Sequence, residues 1–224
     1  MQTYEIEIKS LLGSRENAKA LRDRMAALHP GHELLGSSKQ LNHYFMPGPM
    51  DALYERVSPL FGEDEQERLR RIVTEGKGFS VRTRETDDQV LFVIKASIDD
   101  TTSENGIARI EFESPVPLAL PEIDQHLLDA GLAYQAKWSR ERDGYRVKDV
   151  TVTIDRNAGY GYVAEFEKVV DDPALANEVK EELRALMAEL GAEELQQDRL
   201  ERMFAYYNEH WPEYYGTDNI FTIE

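Results

Sequence analysis

Five short stretches of this chain place two like-charged side chains two residues apart, three of them across an apolar residue. The first is Glu5-Ile6-Glu7-Ile8-Lys9; the others centre on Arg82 and Arg84, Glu111 and Glu113, Arg140 and Arg142, and Glu165 and Glu167. Successive side chains of a strand point to opposite faces, so Glu5, Glu7 and Lys9 share one face and Tyr4, Ile6 and Ile8 share the other. The pattern therefore predicts strands with one ionic and one apolar face. Two arrangements satisfy it. An open sheet would leave the ionic face wet, its charges individually worth little. A sheet closed on itself would gather them into an interior, which is costly unless the charges pair or hold a ligand. Three strands carry acidic pairs and two carry basic ones. A solvated face would more readily mix signs within a strand, but the pattern alone leaves both arrangements open.

The remaining signals predict helices between and after these strands. Ser14 caps a helix with apolar positions Ala18, Leu21, Met25 and Leu28, stopped by His29-Pro30-Gly31. Residues 39–46 read as a strand, and a helical stretch from Asp51 to Val73 is interrupted near Ser58-Pro59 and Gly62. Runs 79–85 and 90–97 read as a hairpin, and 108–114 as a strand after a polar turn around Ser103 to Gly106. Next come a helix carrying Ile123, Leu127 and Leu128, then a segment at 136–147 read as strand, turn at Asp143-Gly144 and strand, and further strands at 150–156 and 162–170. Asp172-Pro173 starts a helix with a stripe of Leu175, Val179, Leu183, Leu186 and Leu190, and a last helix covers about 195–208. No linker divides the chain, so one domain over 1–224 is expected, with a helical insertion at 54–77 and closing helices at 172–208.

A chain of 224 residues, 41% hydrophobic and 31% charged, can bury a substantial core. There is no apolar run long enough to span a bilayer and no basic-then-apolar start, so a cytoplasmic protein without membrane contact is expected. Cysteine is absent, which excludes disulfides, thiolate metal sites and a cysteine nucleophile. A net charge of −17 disfavours nucleic acid as a partner. It does not disfavour a small anion, because a few cations and a divalent metal can set the sign of a site against that of the surface. Oligomeric state is not legible; a homodimer is compatible with the sequence.

The ionic pairs suit a polyphosphate held by metal. Glutamates offer hard oxygens to Mg²⁺ or Mn²⁺, whose remaining ligands are waters and phosphate oxygens. Arginines supply planar forks for phosphate and lysines add point charges. Other motifs read as structure. His29 and His32 mark a helix end, and His43 is a packed or surface side chain. Gly76-x-Gly78 and Gly159-x-Gly161 are turns, and the tail Trp211-Pro212-Glu213-Tyr214-Tyr215 is expected to pack rather than stack a base.

Taken in order, these pieces resemble the CYTH superfamily, the triphosphate tunnel metalloenzymes. Glu5-x-Glu7-x-Lys9 is similar to its ExExK signature, followed in the family's order by Arg82-x-Arg84, Lys95, Glu111-x-Glu113, Arg140-x-Arg142 with Tyr145, Asp155 and Glu165-x-Glu167. The resemblance implies an α+β fold, a closed eight-stranded antiparallel β tunnel with surrounding and C-terminal helices. It implies that Lys9, Arg82, Arg84, Lys95, Arg140 and Arg142 grip phosphate oxygens. It further implies that Glu5, Glu7, Glu111, Glu113, Asp155, Glu165 and Glu167 bind Mg²⁺ or Mn²⁺ directly or through water. Lys137 alternates to the face opposite Arg140.

The function expected on this basis is metal-dependent hydrolysis of a small-molecule triphosphate: inorganic triphosphate, thiamine triphosphate or a nucleoside triphosphate. The first alternative is a class IV adenylyl cyclase, converting ATP to cyclic AMP and pyrophosphate. A second is a non-catalytic binder of polyphosphate or nucleotide. The 54–77 segment is either a lid or, as expected from the usual role of such insertions, a packing element.

Overall fold

The computed structural model describes residues 4–87, 89–97 and 109–223. The turn expected around Ser103 to Gly106 lies outside them, as do Asp88 and Ala108. Eight strands form an antiparallel sheet in the order β1-β8-β7-β6-β2-β3-β4-β5. The strands are β1 (Tyr4–Gly13), β2 (Glu33–Met46), β3 (Lys77–Thr86), β4 (Gln89–Ser97), β5 (Arg109–Pro115), β6 (Ala133–Val147), β7 (Val150–Asn157) and β8 (Gly161–Val170). The α+β class and the eight antiparallel strands match the expectation. Closure does not take the form of a hydrogen-bonded ring: among the described residues the order ends on β1 and β5.

The backbone groups into two compact units, Met1–Lys39 with Ser139–Glu224, and Gln40–Trp138. The division falls inside β2 and β6, which run through it as unbroken strands, so no linker marks it.

In the first unit, Ile6 and Ile8 of β1, Val152 and Ile154 of β7, and Ala164 and Phe166 of β8 form a buried apolar face. It is covered by α1 (Arg15–Leu28) and α5 (Ala176–Glu189) through Ala18, Leu21 and Met25, and through Val179, Leu183 and Leu186. These positions recur at helical spacing, which turns one stripe of each helix onto the sheet. Ser14 caps α1 as expected, its Oγ accepting from the Asn17 amide at 3.2 Å. Asp172 accepts from the Ala174 amide at 2.9 Å and opens a short 3₁₀ turn, Pro173–Leu175, ahead of α5. The last helix, α6 (Gln197–Tyr214), runs past the expected end and carries Pro212 in its final turn. It persists because Tyr207 and Tyr214, seven residues and two turns apart, are both buried, with the Phe221 ring 6.4 and 5.3 Å from theirs.

The segment at 136–147 corrects the sequence reading. Asp143-Gly144 is no turn, because β6 continues through it, with Gly144 opposite Thr153. Asp143 instead accepts from Arg22 and Ser37, each at 2.7 Å. The chain reverses at Lys148 and Asp149, where Lys148 takes φ +57°.

In the second unit, Phe45, Val81, Phe92, Ile94 and Phe112 make the apolar face of β2 to β5. It is covered by α2 (Met50–Val57), α3 (Glu63–Glu75) and α4 (Leu120–Asp129). Phe61, between α2 and α3, meets Phe112 edge to face at 5.2 Å. Val57, Leu69 and Ile72 are fully or almost fully buried, so the 54–77 segment is part of this core. Helix α3 lacks a side-chain cap at Gly62; Glu65 reaches back to the Gly62 amide at 3.2 Å and also accepts from Ser114.

Candidate active site

Because apolar residues at alternate positions commit one face of each strand to the helices, the intervening charged residues fall on the other. In the first unit that face gathers residues from four strands. Register sets Glu7 opposite Glu167 and Lys9 opposite Glu165 across β1 and β8, and Arg142 opposite Asp155 across β6 and β7. Lys9 Nζ lies 2.6 Å from Glu7 and 3.3 Å from Glu165. Arg142 donates to both oxygens of Asp155, at 2.7 and 2.6 Å, and to Glu165 at 2.6 Å, while Arg140 reaches Asp155 at 3.1 Å.

These pairings sort the carboxylates. Asp155 is 1% exposed and both its oxygens are taken by guanidinium groups. Burial alone would raise the Glu165 pKa, but Lys9, Arg142 and Arg140 outweigh it and hold the carboxyl at about 2. Glu167 goes the other way: burial, and then the Glu5, Glu7 and Glu165 carboxylates, push it above the ordinary range. Burial would likewise lower the Lys9 pKa, yet Glu165 and Glu7 leave it raised.

In the second unit the ionic face is assembled from β2 to β5. Lys95 stands opposite Glu111, with Nζ 3.1 Å from its carboxylate, so Lys95 joins this face. Arg82 lies 3.9 Å from Glu111, and Arg84 3.4 Å from Glu113. Arg82 also donates to the Tyr44 hydroxyl at 2.9 Å, and Arg84 to Asn42 Oδ1 at 3.0 Å. Arg82 Nε is buried and has no acceptor among the described residues.

All thirteen residues singled out in the sequence thus fall into one of two ionic groups, each within a single unit. Tyr145 does not join them: it alternates to the helix side of β6, where its hydroxyl accepts from Arg22 at 3.1 Å. Lys137 is placed with its ammonium 4.0 Å from the centre of the Tyr134 ring. Asn42 and Tyr44 are site neighbours that the sequence reading missed. Their signal was present, since both alternate with Leu41, His43 and Phe45, but neither is ionic.

Among the described residues, no three His, Asp or Glu side chains are arranged to hold a metal ion as they stand. The chemistry of the donor set nevertheless fits one. Glu7 and Glu167 face each other directly across the β1–β8 ladder, and burial, followed by the charges of Glu5, Glu7 and Glu165, raises the Glu167 pKa. Directly opposed like charges destabilise a sheet, and a hard divalent cation bound between them reverses that sign.

A family model for the CYTH domain matches residues 62–199. Among solved structures, the chain is similar to a protein from Pyrococcus horikoshii OT3, with TM-score 0.59 and 19% identity, covering 87% of this chain and 94% of that one. It is similar to a conserved hypothetical protein from Pyrococcus furiosus, with TM-score 0.58 and 17% identity, over 87% and 93% of the two chains. It is also similar to a "putative adenylate cyclase" from Vibrio parahaemolyticus, with TM-score 0.58 and 17% identity, over 88% and 95%. At such identities the likeness is one of fold. No curated protein matches. No helix among the described residues is long and apolar enough to cross a membrane.

Proposed function

The chain belongs to the CYTH domain family, and from that membership and the chemistry of its ionic faces we propose that it is a metal-dependent hydrolase of a triphosphate compound. The observation that carries this reading is a juxtaposition on one face of the first unit. A carboxylate group that repels itself, Glu5, Glu7 and Glu167, stands beside the cations Lys9, Arg140 and Arg142. A divalent metal relieves the first set and a polyphosphate the second. Arg82 adds support, because its buried Nε needs an anionic or carbonyl acceptor.

Lys9, Arg82, Arg84, Lys95, Arg140 and Arg142 grip phosphate oxygens and offset charge on the equatorial and leaving oxygens as the bond breaks. On the first unit Glu5, Glu7 and Glu167, and separately on the second Glu111 and Glu113, are the carboxylates that would hold Mg²⁺ or Mn²⁺, which polarises phosphoryl oxygens and lowers the pKa of bound water. Asp155 and Glu165 act chiefly as anchors that aim Arg140, Arg142 and Lys9, since those cations already engage their oxygens. A carboxylate of the set takes the proton of the attacking water as its oxygen bonds in line to the terminal phosphorus; the bridging P–O bond breaks, releasing orthophosphate and the remaining diphosphate portion without a covalent enzyme intermediate.

Phosphorus NMR tests the reading, with inorganic triphosphate and ATP supplied separately, each with Mg²⁺, with Mn²⁺ and with chelator. Metal-dependent orthophosphate release is expected. Cyclic AMP with pyrophosphate from ATP would replace this reading with the adenylyl cyclase one. Tight metal-dependent binding without turnover would replace it with a binding role.

A further inference from the structure

Behind the arginines of the second unit lies a buried polar network that the chemistry above does not use. His43 of β2 and Thr83 of β3 are directly opposite in the ladder, 5% and 0% exposed, on the helix-covered face. One rung to either side, on the opposite face, are the Tyr44–Arg82 and Asn42–Arg84 pairs. Asp124 of α4, 2% exposed, takes both ends of the middle rung. His43 Nδ1 lies 2.6 Å from Oδ2, and Thr83 Oγ1 donates to Oδ1 at 2.6 Å. The Tyr134 hydroxyl donates to Oδ2 at 2.7 Å. Burial disfavours the charged carboxylate, but the bonds from His43, Thr83 and Tyr134 more than offset it and lower its pKa. An ionised carboxylate only accepts, so the His43 proton sits on Nδ1.

We propose that Asp124 is a positioning residue for Arg82 and Arg84: by clamping the His43–Thr83 rung from the helix side, it fixes the register and direction of the arginine rungs on either side. The inference rests on reading those arginines as triphosphate ligands. Ladder hydrogen bonds are alike in any register, whereas a slip of one residue would carry both arginines to the helix face. The apolar neighbours Phe45 and Val81 favour the same register. They constrain position less sharply than three directed bonds to one carboxylate, and a guanidinium turned out of line loses the fork geometry with which it binds phosphate oxygens.

The test compares wild type with Asp124→Ala, which removes the clamp, Thr83→Val, which removes one arm at similar volume, and Asp124→Asn, which keeps volume and an acceptor. Three quantities are read: the calorimetric Kd for inorganic triphosphate with Mg²⁺, the kcat and KM on the same substrate, and amide exchange at Arg82 and Arg84. Kd and KM should rise on the order of tenfold in Asp124→Ala and less in Thr83→Val, with kcat changing less and Asp124→Asn recovering part of the loss. Exchange at Arg82 and Arg84 should quicken in the same order. Folded variants with lowered melting temperature but unchanged Kd, KM and exchange would overturn the inference. If Asp124→Ala does not fold, Thr83→Val and Asp124→Asn decide by the same criteria. A wild-type protein with no affinity for triphosphate would count against the functional reading; exchange at Arg82 and Arg84 would then decide the positioning claim alone.

Discussion

Arg142 holds Asp155 in a two-pronged grip, Nε to Oδ1 at 2.7 Å and an Nη to Oδ2 at 2.6 Å, while the same Nη reaches Glu165 at 2.6 Å. One planar guanidinium therefore joins three neighbouring strands, β6, β7 and β8, at fixed angles. Lysine could satisfy the charge but not the fork.

Breaking this grip should cost stability as well as activity. Asp155→Ala leaves Arg142 and Arg140 without their shared carboxylate, and losing one partner of such a buried pair costs about 3 kcal/mol. Urea unfolding should show that loss. Arg142→Lys, which keeps the charge, should lose less stability but still reduce triphosphate turnover by about tenfold or more.

The two glutamates of β8 should respond to acid with opposite signs. Glu165 is held at about 2, so the metal-free protein gains stability from it above the ordinary carboxylate pKa and loses that gain as pH falls from about 4.5 toward 2. Glu167 is raised, so its ionisation weakens the metal-free fold at neutral pH, and protonating it relieves that penalty. Removing the Glu167 charge should therefore stabilise the metal-free protein by up to about 1 kcal/mol while weakening Mg²⁺ binding. Thermal unfolding of Glu167→Gln with and without Mg²⁺ reads both effects. A Glu165→Gln protein should instead melt lower at neutral pH.

Gly161 opens β8 with φ +71°, and a side chain there would run into the carbonyl oxygen of Gly13 on β1. The ladder shifts register at this end, between Leu11 and Gly13. Gly161→Ala is expected to cost more than about 2 kcal/mol by combining a left-handed backbone with a clash against main chain. Gly31→Ala, with open space around the added carbon, is the control and should change stability little.

Strand alternation made the ionic faces legible, because it follows from the period of the backbone alone. Glu5, Glu7, Arg82, Arg84, Arg140, Arg142, Glu165 and Glu167 could be assigned to one face without knowing any partner. Their pairings could not. Whether Glu165 is metal-facing or held by Lys9 and Arg142, and whether Lys95 meets Glu111, depends on the register between strands, which no single strand's pattern reveals. The Asp143-Gly144 turn was misread for a related reason. The dipeptide favours a turn locally, but the ladder to β7 and the Arg22 bond keep it extended. Asn42, Tyr44 and Asp124 went unnoticed because a neutral side chain, or a lone carboxylate on a helix, carries no pattern of its own.

The central claim is that carboxylates of β1 bring metal to a bound triphosphate, and the most direct measurement is the Mg²⁺-dependent rate of phosphate release from inorganic triphosphate by Glu5→Ala and Glu7→Ala. Both side chains are exposed on their strand, so the variants should fold, and circular dichroism would verify that. The account predicts that each loses most of its metal-dependent turnover, on the order of a hundredfold. Turnover and metal dependence equal to wild type in both folded variants would contradict it.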